Sequence, residues 1–144
     1  MKNLISSQPG CEYLKFHHFG LISSDAVATC KILADLGYEV SGPVDDPLQN
    51  VRAFWAVHSA LPCVEVLSPT DTPGPVSSLA KRIKQGVYHL CFEVDDVAAC
   101  LAKLSTHNQV VQVSEAKKAI LFQNRRISFY YVENFGLIEL LECD

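Results

Sequence analysis

Apolar and polar residues alternate along residues 87–94, the segment Val-Tyr-His-Leu-Cys-Phe-Glu-Val, and this alternation indicates a β-strand. Side chains of a strand point alternately to its two faces. The pattern therefore predicts Tyr88 on a wholly apolar face that packs against the core. The opposite face carries an imidazole, a thiol and a carboxylate, from His89, Cys91 and Glu93. The strand is thus expected to line a polar or reactive site.

An earlier stretch repeats this arrangement. His18 lies near the start of a short apolar strand and is followed seven residues later by Asp25, just as His89 is followed by Asp96. Aspartate is a preferred residue at helix N-termini, so helices are expected to begin at both positions. Each predicted helix is followed by a residue suited to a left-handed C-cap, Gly37 in the first copy and Asn108 in the second.

Each copy also ends on a short apolar strand with a carboxylate at its centre. Glu65 lies 47 residues after His18, and Glu139 lies 50 residues after His89. An acidic side chain inside an apolar strand is costly to bury unless it is paired or bound to a cation. The pattern therefore indicates an internal duplication, offset by about 71 residues, with a histidine and a glutamate at matching places.

The pattern of apolar and polar residues as a whole predicts two modules, each in the order strand–helix–strand–strand–strand. Module one covers about residues 15–69, a linker covers 70–86, and module two covers about 87–142, all within a single domain spanning 1–144. The predicted strands are 15–22, 38–41, 51–58, 61–67, 87–94, 109–114, 127–132 and 137–142. Helices are predicted over 25–36 and 96–107, with a shorter one over 76–85. Residues 1–14 are predicted to form a loose arm, and residues 42–50 a polar loop. The fold class is therefore α+β.

Composition narrows the possible functions. A chain of 144 residues that is 49% apolar and 19% charged has ordinary globular composition. A net charge of −4 without a basic stripe argues against a nucleic-acid partner, and no apolar run is long enough to span a membrane. The N-terminal residues lack the apolar core of a signal peptide. We therefore expect a cytoplasmic protein whose six cysteines stay reduced.

Two related halves packed about a pseudo-twofold axis would bring equivalent positions together. His18, Glu65, His89 and Glu139 are then expected to share one cup, and two imidazoles with two carboxylates suit Zn, Ni, Co, Mn or Fe as a divalent ion. His17 competes with His18 as the first ligand, but strand alternation places His18 with Gly20 on the cup side and His17 on the other. Cys63 and Cys91 also face the cup by this alternation, so a thiol ligand stays possible.

These features together resemble a known family. The segments His18-Phe19-Gly20, Val64-Glu65-Val66-Leu67-Ser68-Pro69, 88–96 and Gly136-Leu137-Ile138-Glu139-Leu140 are similar to motifs of the vicinal oxygen chelate superfamily. That superfamily includes glyoxalase I, methylmalonyl-CoA epimerase, extradiol dioxygenases and the fosfomycin and bleomycin resistance proteins. The resemblance implies two tandem βαβββ modules that form a cupped, partly open antiparallel sheet with helices on the outside. It also implies a homodimer and places the family's metal ligands on the four cup residues.

The resemblance is closest to the glyoxalase and epimerase branch, and it implies a reaction. In that branch a metal stabilises an enediolate while a carboxylate moves a proton next to the carbonyl of a small acid or acyl thioester. Glu139 then serves as a ligand and as a base. The epimerase branch has a further glutamate just before the position of Val44, where this chain has Ser41-Gly42-Pro43. Asp45 and Asp46 are the nearest acidic residues, and we predict Asp46 as a further catalytic carboxylate.

Several further residues are candidates for the site. Strand alternation places Glu93 in the cup as a second possible base. Gln49 and Arg52 are expected at the mouth of the cup, and Arg126 could hold a substrate carboxylate or phosphate, although a solvated turn explains it equally well. The alternative functions are a small-molecule binding or resistance module without chemistry, an extradiol-type dioxygenase, and a metal-dependent thiol transferase. A fourth protein ligand disfavours the dioxygenase, which needs open metal positions.

Overall fold

The computed structural model describes residues 14–144, so the predicted N-terminal arm lies almost wholly outside the described residues. In chain order the elements are β1 (Lys15–Ser23), α1 (Ala26–Asp35), β2 (Glu39–Asp46), β3 (Val51–Val57), β4 (Cys63–Pro69), α2 (Pro75–Ile83), β5 (Gln85–Val94), α3 (Val97–Ser105), β6 (Val110–Ala119), a 3₁₀ turn (Ile120–Phe122), β7 (Arg125–Val132) and β8 (Gly136–Glu142). This order confirms the α+β class and the two repeated modules. Among the helices of residues 14–144, none is long and apolar enough to cross a membrane.

The strands of the described chain form one sheet in the order β2-β3-β4-β1-β5-β8-β7-β6. The first strands of the two modules, β1 and β5, therefore pair at the centre in antiparallel orientation. Within each module the first and last strands run parallel, β1 with β4 and β5 with β8. The sheet is thus mixed, with five antiparallel and two parallel pairings among the described strands, whereas the family resemblance implied an antiparallel sheet. The parallel pairs arise because the helix and the following hairpin return the chain to the same end of the sheet.

The two predicted helix starts are correct in detail. The carboxylate of Asp25 accepts a hydrogen bond from Ala28 N at 3.0 Å, and that of Asp96 accepts one from Ala99 N at 2.9 Å. Gly37 has a φ of +95°, in the left-handed region expected after a helix. Asn108 acts differently from the prediction, because helix α3 ends earlier and the Asn108 amide donates to Leu104 O at 2.8 Å.

Helices α1 and α3 pack on the outer face of the sheet. Ala26 and Leu33 of α1 join a core with Val66, while Cys100 of α3 packs with Tyr130 and its neighbours. The inner, concave face of the sheet carries a separate apolar cluster that contains Cys91, Phe122 and Ile127. Two strands run five residues past their predicted ends: β2 continues through residues 42–46, which the sequence predicted to be a loop, and β6 continues to residue 119. The concave face is where the candidate site lies.

Candidate metal centre

Four residues from the two modules meet at the centre of the concave face. They come from the four central strands, and the register brings them together: Gly20 lies opposite both Glu65 and His89, and Cys91 lies opposite Glu139. The potential ligand atoms of His18, Glu65, His89 and Glu139 all lie within 4.8 Å of one another. The duplication therefore brings together the four side chains that the sequence singled out.

The distances within this group are those of a compact cluster. His18 Nε2 lies 3.2 Å from Glu65 Oε2, 3.4 Å from Glu139 Oε1 and 3.3 Å from His89 Nε2. His89 Nε2 lies 3.6 Å from Glu65 Oε2 and 3.9 Å from Glu139 Oε1. Two imidazole nitrogens thus face two carboxylate oxygens across a gap in which one ion could contact all four.

Burial makes this cluster electrostatically unfavourable without a cation. His18 is 0% exposed and Glu139 is 1% exposed. Burial, with the negative charge of Glu65, holds the pKa of Glu139 well above its usual value. Burial, with the charge of His18, holds the pKa of His89 well below its usual value. Within residues 14–144, Glu139 Oε1 is a buried oxygen without a hydrogen-bond partner. A neutral imidazole at His89 and an oxygen with a free lone pair at Glu139 fit a divalent cation.

The His-x-Gly spacing has a steric reason. A Cβ atom on Gly20 would overlap the ring of His89, at Cε1, Nδ1 and Nε2. The ring of His89, on the neighbouring strand, lies against the backbone of β1 at residue 20. This contact requires glycine at residue 20, two positions after the ligand His18.

Two β-bulges change the strand alternation that the sequence predicted. The pairing of β1 with β5 shifts between Phe16 and His18, and again between Gly20 and Leu21, where Val87 is the next partner after His89. The residues at these bulges, His17 and Tyr88, both lie on the cup side, so the prediction that each faces away from the cup is wrong. A bulge adds one residue and reverses the side-chain alternation locally. His17 and Tyr88 precede the two ligand histidines at equivalent places in the duplication.

Aromatic rings enclose the two histidines. The rings of Trp55 and Phe122 lie 5.3 Å and 5.1 Å from that of His18, and the ring of Phe129 lies 5.2 Å from that of His89. Phe122 belongs to the 3₁₀ turn, for which the sequence indicated no position. Tyr88 also contacts His89, with ring centroids 4.5 Å apart. These rings exclude water from the cluster and lower the local dielectric.

The cluster adjoins an apolar cavity of about 190 Å³ at one end of the cup. Leu67, two residues beyond Glu65, and Leu137, two residues before Glu139, both line it, as do Tyr88 and Phe129. The other lining residues are Leu48, Gln49, Asn50, Val51, Val76, Leu79, Val113, Ser114, Glu115, Lys117 and Ile127. Burial and the charges of Glu65 and Glu139 hold the pKa of Tyr88 well above its usual value, so its phenol stays protonated as a donor.

The thiol of Cys91 contacts the cluster at Glu139. It forms a hydrogen bond with the Glu139 carboxylate, and burial with that neighbouring charge raises its pKa. A neutral thiol is a poor metal ligand, because metals bind the thiolate. Cys30, Cys63, Cys91, Cys100 and Cys143 are free thiols, as the sequence predicted for these five.

The predicted substrate-binding residues lie outside the four-residue cluster, but one of them lines the adjoining cavity. Gln49 lines the cavity, and its amide donates to Asp46 Oδ2 at 2.8 Å. Arg52 pairs with Asp45 at 2.7 Å in a separate surface groove, since Val51 and Ala53 take the inward positions of β3. Arg126 is exposed and pairs with Glu142 at 3.3 Å. The structure thus places the side chains of Arg52 and Arg126 in surface ion pairs away from the cluster, and their roles in substrate binding stay predictions.

The two further carboxylates proposed as bases are engaged elsewhere. Glu93 accepts a hydrogen bond from Arg125 at 2.7 Å, and this bond holds the pKa of Glu93 below its usual value, which weakens it as a base. Asp46 is buried and accepts bonds from the backbone N–H groups of Leu48 and Ile120, at 3.0 Å and 3.4 Å. Asp46 thus holds the loop after β2 against the 3₁₀ turn that carries Phe122.

Replacing Asp46 tests this structural role. We expect Asp46→Ala to lower the free energy of unfolding by about 2–4 kcal/mol, because several hydrogen bonds to a buried charged group are lost. Asp45→Ala is the matched control, since Asp45 is an exposed neighbour that pairs with the surface side chain of Arg52, and it should leave the denaturation midpoint unchanged. Equal midpoints for the two variants would contradict the role assigned to Asp46.

The described chain is thus an α+β protein of two βαβββ modules, whose shared cup holds two histidines and two glutamates that could bind a metal ion. Residues 17–129 match the family model of the glyoxalase/bleomycin resistance protein/dioxygenase superfamily, and the chain belongs to that superfamily. The resemblance recognised in the sequence is therefore confirmed.

Similar proteins include epimerases. A curated relative from Cereibacter sphaeroides, named ethylmalonyl-CoA/methylmalonyl-CoA epimerase, is 30% identical over 110 residues, which is 73% of this chain and 79% of the relative. The crystal structure of methylmalonyl-CoA epimerase from Mycobacterium tuberculosis has a TM-score of 0.75 at 19% identity, covering 96% of this chain and 93% of that one. A methylmalonyl-CoA epimerase in complex with methylmalonyl-CoA and NH4+ has a TM-score of 0.72 at 22% identity, covering 91% and 95%. The two structural likenesses concern the fold.

Proposed function

We propose that this chain is a metal-dependent epimerase or isomerase that moves a proton on the carbon next to the carbonyl of a small acid or acyl thioester. The observation that carries the proposal is the buried cluster of two imidazoles and two carboxylates, whose ligand atoms converge within 4.8 Å. The relative named as an ethylmalonyl-CoA/methylmalonyl-CoA epimerase supports the acyl-thioester class. The homodimer and the cytoplasmic location stay predictions.

The residues that would hold the ion are His18, Glu65, His89 and Glu139. When bound, a divalent ion such as Zn, Ni, Co, Mn or Fe supplies a Lewis acid for the carbonyl oxygen of the substrate. The adjoining cavity can hold the apolar part of a substrate, because its inner walls are Leu67, Phe129 and Leu137.

Glu139 is the candidate base. Its Oε1 is buried and has a free lone pair in the described part of the chain, so it can accept a proton without breaking a hydrogen bond within residues 14–144. Glu65 lies on β4, on the other side of the central strand pair from β8. Two carboxylates on opposite sides of the two histidines suit removal of a proton from one face of a carbon and its return to the other.

Proton exchange with solvent tests the proposal directly. The metal-free protein is loaded separately with each of the five ions and incubated in D2O with methylmalonyl, ethylmalonyl and α-hydroxyacyl thioesters. We expect loss of the α-proton signal by NMR for at least one substrate, dependent on both protein and metal. A protein that binds an ion but exchanges none of these protons would overturn the proposal and favour a binding module.

A further inference from the structure

The two ligand histidines have different surroundings behind the metal-facing nitrogen. His18 Nδ1 lies 2.8 Å from His17 Nδ1, whereas His89 Nδ1 is buried without a hydrogen-bond partner within residues 14–144. The bulge at His17 creates this difference, because it turns two consecutive side chains toward the cup. At the equivalent place in module two the bulged residue is Tyr88, whose ring contacts His89 without a comparable bond.

The hydrogen bond between the two imidazoles has two possible senses. If His17 donates, His18 carries its proton on Nε2, where the proton can bond to Glu65 Oε2 at 3.2 Å, and that nitrogen has no lone pair for a metal. If His18 donates from Nδ1, the lone pair of Nε2 is free. A bound ion therefore requires the second arrangement, with His17 as the acceptor.

We propose that His17 is a positioning residue for the metal centre, which accepts a hydrogen bond from His18 Nδ1 and so fixes the tautomer and ring angle that present Nε2 to the ion. The inference rests on the proposed metal-dependent function. Two aromatic contacts hold the ring of His17. It stacks on Trp55 with a centroid distance of 5.7 Å and an interplanar angle of 30°, and it meets Phe122 edge-on at a centroid distance of 5.4 Å. These contacts hold the acceptor nitrogen in place.

Two substitutions separate the acceptor from the ring. His17→Phe keeps an aromatic ring between Trp55 and Phe122 but has no acceptor, while His17→Asn loses the ring and keeps an oxygen close to the position of Nδ1. Outer-shell partners of ligand histidines typically contribute 10- to 100-fold to metal affinity. We expect His17→Phe to weaken Co²⁺ binding by about 10- to 100-fold and His17→Asn to retain most of the affinity.

The measurement is a titration of the metal-free protein with Co²⁺, followed by visible absorption and by competition with a chelator. His107→Asn is the control. It removes an exposed histidine in the turn after α3 and should leave the metal affinity unchanged. In the Zn²⁺-loaded wild type, ¹⁵N NMR of the His18 ring should show the proton on Nδ1. Because ligation at Nε2 by itself places the proton on Nδ1, the signature specific to His17 is a downfield ¹H shift of that Nδ1 proton, which the hydrogen bond causes in the wild type and which His17→Phe should abolish.

Three outcomes would overturn the inference. They are a wild type that binds neither Co²⁺ nor Zn²⁺, a His17→Phe variant that binds Co²⁺ as tightly as the wild type, and a His17→Asn variant as weak as His17→Phe. None of these measurements uses turnover. A protein whose metal affinity depends on the acceptor at His17 but that exchanges no substrate proton would sustain this inference and overturn only the proposed function.

Discussion

Glu139→Gln should lower the rate of substrate proton exchange by about a thousand-fold and reduce metal content at the same time. General acid–base groups typically contribute 10²- to 10⁴-fold to rate, and a neutral amide can neither accept the proton nor provide an anionic ligand. The substitution is nearly isosteric, so the packing around the buried side chain is preserved. The measurements are NMR exchange in D2O and elemental analysis of the purified variant.

The same variant should keep or gain stability when metal is absent. Burial and the charge of Glu65 already raise the pKa of Glu139, so the ionised form is unfavourable in the metal-free fold, and an amide removes this cost. Glu142→Gln on the same strand is the control, since Glu142 pairs with Arg126 at the surface, and it should change neither exchange nor metal content. A Glu139→Gln variant with wild-type exchange would exclude Glu139 as the base.

Gly20→Ala should abolish the metal site through a single added methyl group. The new Cβ would overlap the ring of His89, which must move away from His18 Nε2, now 3.3 Å from its own Nε2. We expect metal affinity to fall by at least about 100-fold, on the scale of losing a ligand's orientation. Overpacking at a buried contact should also lower the free energy of unfolding by about 1–3 kcal/mol.

Gly74→Ala provides the matched control. The nearest atoms to its Cβ would be those of Asn50 at 3.6 Å and 3.7 Å, which is ordinary contact, and the backbone at Gly74 is extended. That variant should bind metal as the wild type does. If Gly20→Ala retained full affinity in the same chelator competition, His89 could not be a ligand in the arrangement described here.

The repeat made much of the site predictable from sequence. A histidine and a glutamate at matching places in two copies predicted which side chains would meet, because a pseudo-twofold axis superposes equivalent positions. The helix starts at Asp25 and Asp96 were predictable because an N-cap is a local contact between residues three apart in sequence. Local signals and internal symmetry therefore carried the prediction of fold and ligands.

The residues around the ligands were less predictable, because they depend on departures from regular strand geometry. Strict alternation placed His17 and Tyr88 away from the cup, and two bulges placed them inside it. No residue type at these positions marks a bulge, since it results from the pairing of β1 with β5. The positions of Glu93 and Asp46 depended on partners distant in sequence, Arg125 and Ile120, which no local pattern indicates.

Two of the four candidate ligands, His18 and Glu139, lie in the first and last strands of the described chain. This placement has a consequence for the lifetime of the protein. A bound ion would act as a clasp that joins His18 in β1 to Glu139 in β8, and so would close a loop that includes most of residues 14–144. Neither module alone could form that clasp. A ligand that binds only the folded chain stabilises it by a free energy that grows with the logarithm of the free ligand concentration. The availability of metal in the surroundings would thereby set how long each molecule resists unfolding and proteolysis, apart from any reaction it catalyses.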